Sequence, residues 1–410
     1  MNRGRPRPKL RPVSENDSAT TLELFFDLVF VFALTQVTAF MAHDLSGTGM
    51  LRGILMLGLL WWSWVGYAWL GNVVRADEGP VRLLVLAAML PMFVLALTIP
   101  EAFVDGEGGL PGPVVIAVCY FLFRLMHLLM FWVIARDDPV LRHQLIRFTP
   151  SVLGGTLLLL VASQLDGGMQ TLFWALALLA DYGGTFLGGA RGWRLRSAGH
   201  FAERHGLILI VALGESIVAI GVGVGELHIS WPIVVAAVVG LCLVMSLWWA
   251  YFDISALQGE HALAAEPEET RPRLARDAYS FLHFPIVGSV VLIALGIEQA
   301  LKYVADVENH DLSDPVSEIG LYALYGGVVV YLLGHVAFKW CALHQLHTDR
   351  VVVAALLLVL IPVAAQVPAL AALAIVAFLM MGMIGFETVV YAEHRERIRH
   401  GLSRSDHAGE

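Results

Sequence analysis

Three cysteines in 410 residues leave little room for sulfur chemistry. Cys119, Cys242 and Cys341 stand apart, in or beside apolar segments, so neither a disulfide framework nor a cysteine-rich metal site is expected. Charge is scarce too. Asp, Glu, Lys and Arg make up 15% of the chain against 58% hydrophobic residues, where soluble domains hold about 25% and roughly 45–50%. Long polar stretches are missing. The longest, about 253–278 with Glu266-Pro-Glu-Glu-Thr-Arg-Pro, reads as a linker and is too short to bury a sizeable core. Any chemistry is therefore expected in or beside a membrane. No small-residue cleavage site follows the basic N-terminus, and the first apolar run holds Glu23 and Asp27, so a retained first helix is expected. Gly221, Gly223 and Gly225 have no strand before them and no Lys-Ser/Thr after them. That excludes a phosphate loop and leaves close helix packing for Gly221 and Gly225.

What the chain has is apolar length. Its mean hydropathy is +0.71, and runs of about 18 or more apolar residues recur throughout. Twelve spans are expected, at about 20–42, 51–72, 81–100, 114–135, 147–165, 170–189, 205–225, 231–252, 279–301, 317–338, 351–367 and 369–391. With this count, all but Arg52, Arg124 and Lys302 of the 26 Lys and Arg fall on one side. The positive-inside rule makes that side, and both termini, cytoplasmic. Ser14, Ser197 and Ser403 are then expected inside, and Gly108 and Asp311 outside. The basic residues keep to loops, so the net charge of −9 gives no nucleic-acid surface.

The two halves resemble each other. Trp61-Trp62 follows Asp27 by 34 residues, and Trp248-Trp249 follows Glu215 by 33. His127 and His335 each stand five residues before a tryptophan, Trp132 and Trp340. Two parallel six-helix repeats about an axis along the membrane normal are expected. The corresponding organisation is 1–19 basic tail, 20–190 first repeat, 191–204 connector, 205–392 second repeat and 393–410 tail. The fold class is all-α, a polytopic membrane protein of about twelve transmembrane helices.

Ionisable residues inside the spans are the candidate site, because carboxylates facing lipid are costly. Glu23 and Asp27 share a helix face, as do Tyr120, Arg124 and His127. Asp181, Glu215 with Ser216, His283, His335 and Glu387 lie inside other spans. One reading is a hydrated core holding a proton, cation or small solute. The other is a set of sealed ion pairs, such as Arg124 with Asp27 or Glu215, that only fix packing. The three histidines read as packing residues. His344 and His347 lack a third ligand at metal spacing, so no metal and no cofactor is expected. Trp61, Trp62, Trp64 and Trp69 read as packing residues and interface anchors.

Leu22-Glu-Leu-Phe-Phe-Asp-Leu-Val-Phe-Val and Ala212-Leu-Gly-Glu-Ser-Ile-Val resemble motifs of the bacterial low temperature requirement A family. Leu282-His-Phe-Pro-Ile-Val and Ala294-Leu-Gly-Ile-Glu298 do too, and the similarity runs over about 18–395. The resemblance implies a multi-pass bacterial inner-membrane protein linked to growth in the cold, with no established substrate or reaction. It marks Glu23, Asp27, Gly214, Glu215 and Ser216 as characteristic positions. Two six-span halves, intramembrane carboxylates and no ATPase domain suit a secondary transporter or proton-coupled permease. The partners expected are the lipid bilayer, a small solute, proton or cation, and a second copy in a homo-oligomer. A cation channel is the alternative, without a filter-like signature. A membrane enzyme or lipid-handling protein of cold adaptation is another, without a His-rich iron motif or nucleophile elbow.

Overall fold

A computed structural model describes residues 12–15, 17–106, 108–225 and 228–393. Most of these residues are helical, with no strand among them beyond an isolated bridge between Pro12 and Val74. The helices are α1 (Thr21–His43), α2 (Gly47–Val73), α3 (Gly79–Thr98), α4 (Gly112–Ile134), α5 (Pro139–Ala162), α6 (Gly167–Gly188), α7 (Ala198–Val224), α8 (Trp231–Phe252), α9 (Ser255–Ala265), α10 (Arg271–Leu274), α11 (His283–Ala305), α12 (Glu318–Leu343), α13 (Thr348–Ala364) and α14 (Ala369–Val390). Apart from the short α9 and α10, these are the twelve long helices anticipated from hydropathy. Eleven helical stretches of the described residues are long and apolar enough to cross a bilayer. The twelfth, α13, has 17 residues, about 25 Å of helix and at the short end of what spans. The 253–278 segment is more ordered than a linker: it holds α9, α10 and a π-helical turn, Ala275–Phe281, that leads into α11.

Local chemistry sets several helix ends. Thr20 and Glu23 form a capping box at α1, each satisfying the other's backbone N–H. The Asp138 carboxylate accepts from the Val140 and Leu141 N–H groups at the start of α5. Gly225, at φ 61°, closes α7 in the left-handed region that glycine tolerates.

The chain forms two compact units. The first contains α1 to α6, α10 and α7 as far as Leu207. Here α1 packs on α3, α3 on α4, α4 on α5 and α5 on α6. From Leu55 to Val73 all of α2 but Gly66 is buried, and Tyr67 packs between Phe26 of α1 and Phe123 of α4. The second unit contains α7 from Ile208, α8, α9 and α11 to α14. In it α11 packs on α8, α12 and α14, α12 on α13, and α13 on α14.

Lipid tails are as apolar as leucine, so close backbone approach carries much of the packing between membrane helices. A Cβ on Gly296 would come within 2.6 Å of the Leu324 backbone, so α11 and α12 touch there. On α7 the close approach is at Gly223, where a Cβ would meet the Glu298 carbonyl at 2.8 Å. Gly221 has open space, and Gly225 serves the helix end, so neither has the packing role expected of it. Outward faces are apolar. On α1, Leu24, Phe25 and Leu28 are exposed while Glu23 and Asp27 are buried. This inversion of a soluble protein's pattern is what a lipid surround requires.

Candidate functional site

Among the described residues, three polar clusters built on largely buried ion pairs bear on function. In the first, α1 brings Glu23 and Asp27 to the start of α7. Arg204 grips Asp27 with two nitrogens, Nη1 to Oδ2 at 2.8 Å and Nη2 to Oδ1 at 2.9 Å. The Trp64 indole N–H also donates to Asp27 Oδ1 at 2.8 Å. Glu23 Oε2 accepts from the Thr20 N–H at 2.8 Å and lies 3.2 Å from His200 Nε2. The missing side chain of Gly71 makes room for this carboxylate, because a Cβ would fall 2.4 Å from Glu23 Oε1. Glu23, Asp27, His200 and Arg204 are each at most 5% exposed. Fork-to-fork geometry and full burial make this a sealed pair.

The second cluster joins α4 to α6. Arg124 Nη2 donates to Asp181 Oδ1 at 3.0 Å, and the Tyr120 hydroxyl donates to the other oxygen, Oδ2. His127 donates from Nε2 to the Gly66 carbonyl at 3.0 Å. Arg124 therefore pairs with Asp181, and the partner of Asp27 is Arg204. The expected pairing of Arg124 with Asp27 or Glu215 is corrected, because helix periodicity gives a residue's face but not the neighbour opposite it. The tryptophan reading also changes. Trp61, Trp62, Trp64 and Trp69 are all buried, so none anchors at an interface.

The third cluster lies in the second unit, where α8, α12 and α14 end and α13 begins. Arg350 Nε reaches Glu387 Oε1 at 2.8 Å and Nη2 reaches Oε2 at 3.0 Å. Nη2 also donates to the Ala250 carbonyl at 3.0 Å, and Nη1 to His335 Nδ1. Arginine only donates, so His335 accepts at Nδ1 and its proton is on Nε2. Lys339 Nζ lies 3.3 Å from His347 Nε2. Unlike the sealed pairs, this cluster faces a cavity of about 450 Å³. Asp253, Lys339, His347, Arg350 and Glu387 give the wall its charge, and Trp249 and Tyr391 contribute rings.

The other candidates stay apart from it. His283 bonds to its own neighbourhood, donating from Nδ1 to the Ala278 carbonyl at 3.0 Å and accepting from Tyr251 at 2.9 Å. Glu215 is buried on α7, and Ser216 donates to the Val290 carbonyl of α11 at 3.4 Å. His344 is exposed and caps α12 at φ 55°. Arg204, Lys339 and Arg350 escaped the sequence reading because a basic residue at a helix end looks like a cytoplasmic loop residue. Arg204 and Arg350 are in fact 1% and 2% exposed. The usable signal was their position inside the helical pattern, six residues into α7 and two into α13.

The sequence family described as bacterial low temperature requirement A protein matches residues 18–385. An uncharacterized protein of Rhizobium meliloti (strain 1021) is 29% identical over 342 residues, covering 80% of this chain and 78% of its own length. No solved structure matches.

Proposed function

We propose, for a chain that belongs to the bacterial low temperature requirement A family, that it is a secondary transporter of the cytoplasmic membrane whose solute enters the charged cavity of the second unit. The observation that carries this reading is the contrast between clusters. Asp27–Arg204 and Arg124–Asp181 are buried, as pairs that only fix packing would be, and the space beside Arg204 is only about 10 Å³. Arg350–Glu387 instead lines about 450 Å³ of space, with Lys339, His347 and Asp253 beside it. A concave site with a few convergent polar groups is where a small molecule binds. Groups of both signs suit a small charged or zwitterionic solute.

The two six-helix halves support the reading through their repeated chemistry. Each has a carboxylate on its last helix, Asp181 on α6 and Glu387 on α14, held by a buried arginine. Each also has a buried histidine, His127 on α4 and His335 on α12. Duplicated halves are common among transporters.

Flux into liposomes tests the proposal, with a panel of inorganic cations and small zwitterions and with or without a pH gradient. Solute-selective uptake by the wild-type protein that is lost in Glu387→Gln, with the variant still eluting as a folded species, is the expected result. Uptake that is the same with Glu387→Gln and Lys339→Gln would remove the cavity from the mechanism.

A further inference from the structure

Beside this cavity lies a carboxylate that no donor reaches. Asp349 is in the first turn of α13, its side chain is 10% exposed, and no N–H or O–H donor reaches either oxygen; what lies against it is a second carboxyl, that of Glu387. An ionised carboxylate in that position is costly unless a positive group accompanies it. Its neighbours are committed elsewhere. Arg350 spends its donors on Glu387, Ala250 and His335. Lys339 lies on the far nitrogen of His347, Nε2.

The near nitrogen of that ring faces the carboxylate. His347 Nδ1 is 3.8 Å from Asp349 Oδ1, too long for a hydrogen bond. The separation suits two ligands of one ion, since bonds of about 2.1 Å place ligand atoms up to about 4.2 Å apart. Glu387 completes the group: one donor atom each from His347, Asp349 and Glu387 lies within 4.8 Å of the others. The bidentate contact with Arg350 uses one lone pair on each Glu387 oxygen and leaves others for a metal. His347 and Glu387 line the cavity, so solvent can fill the remaining positions of the shell.

We propose that His347, Asp349 and Glu387 bind a divalent first-row transition-metal cation such as Mn²⁺ or Zn²⁺. One imidazole and two carboxylates suit these ions, whereas Ca²⁺ and Mg²⁺ favour all-oxygen shells. Local charge agrees. Asp253, Asp349 and Glu387 outnumber Lys339 and Arg350 by one, with His347 neutral as a ligand. Lys339 is the built-in competitor: its ammonium donates to Nε2 and so keeps the ring proton on Nδ1, and metal binding at Nδ1 moves that proton to Nε2 and breaks the lysine contact. The inference names the ligand class of the cavity and rests on reading that cavity as a ligand site.

The test is binding to the full-length protein in detergent, with any affinity tag removed and metal stripped by chelator. Calorimetric titration with MnCl₂ or ZnCl₂ should show one saturable site per chain, and CaCl₂ and MgCl₂ should bind far more weakly. Asp349→Asn and His347→Gln should each weaken binding by at least about tenfold, and Lys339→Met should tighten it. Thermal midpoints of the variants without metal establish that they are folded. Absence of saturable Mn²⁺ and Zn²⁺ binding by the parent overturns the site, as does equal affinity in a folded Asp349→Asn. No flux enters this measurement, so its failure leaves the transport reading standing, and a failed flux assay leaves the metal site standing.

Discussion

Arg350 and Glu387 meet with both carboxylate oxygens engaged, at 2.8 and 3.0 Å. The pair ties the first turn of α13 to the last of α14. In the first unit the carboxylate is again on the last long helix, at Asp181, but its arginine comes from α4. The same kind of contact is thus made from a different strut in each unit.

Removing one member of such a pair strands the other. Arg350→Met is expected to lower stability by about 3 kcal/mol, the usual loss for an orphaned buried charge. Arg350→Met with Glu387→Met should recover much of it. Unfolding in detergent by heat or denaturant gives the comparison. A double variant that loses as much as the two single variants summed would show that the pair has no special coupling.

Gly296 offers a test of helix contact without charge. A Cβ there meets the Leu324 backbone at 2.6 Å, so Gly296→Ala must push α11 and α12 apart, at a cost of about 1–3 kcal/mol. Gly326 has nothing within 4 Å, and Gly326→Ala should be neutral or gain up to about 1 kcal/mol from helix propensity. Equal thermal shifts for the two alanines would contradict the packing described for α11 and α12.

Asp138, outside the membrane spans, gives a pH-dependent signature. Partial burial opposes its charge, but the Arg194 guanidinium at 2.7 Å and the Leu141 and Val140 N–H groups hold its carboxyl below the ordinary range. A depressed native pKa contributes stability above the unfolded value, about 3.9, which is lost as pH falls through the native value. Asp138→Ala should therefore cost about 1 kcal/mol at pH 7. Its difference from the parent should shrink below about pH 4. A difference that is constant between pH 7 and pH 3 would rule out this role for the carboxylate.

Topology is open to labelling, with sites chosen by exposure. Ser197 is a poor choice despite its place between spans, because it is buried and bonded to the Glu15 carbonyl. Ser403 lies outside the described residues. Arg191→Cys is exposed and should react only after the membrane is opened. Leu110→Cys and Asp311→Cys should react on intact cells with an impermeant reagent. Leu110 replaces Gly108, where φ 77° would strain a cysteine. Reaction of Arg191→Cys on intact cells would reverse the orientation drawn from Lys and Arg.

The sequence by itself determined the class of the protein and its twelve long helices, since hydropathy over some twenty residues reports the thickness of a bilayer directly. It also determined that Glu23, Asp27, Arg124, Asp181 and Glu387 turn inward, because lipid does not tolerate them. Only tertiary structure decided who meets whom. Arg204 and Asp27 are 177 residues apart, and Arg350 and Glu387 are 37 apart. No periodicity in one helix encodes the register of another. The same limit hid the cavity. Lys339, His347 and Arg350 look in sequence like a basic loop, and the packing of α8, α12, α13 and α14 places them around a half-open cavity. Asp349 gave no signal at all, because its burial comes from neighbours brought in by the fold.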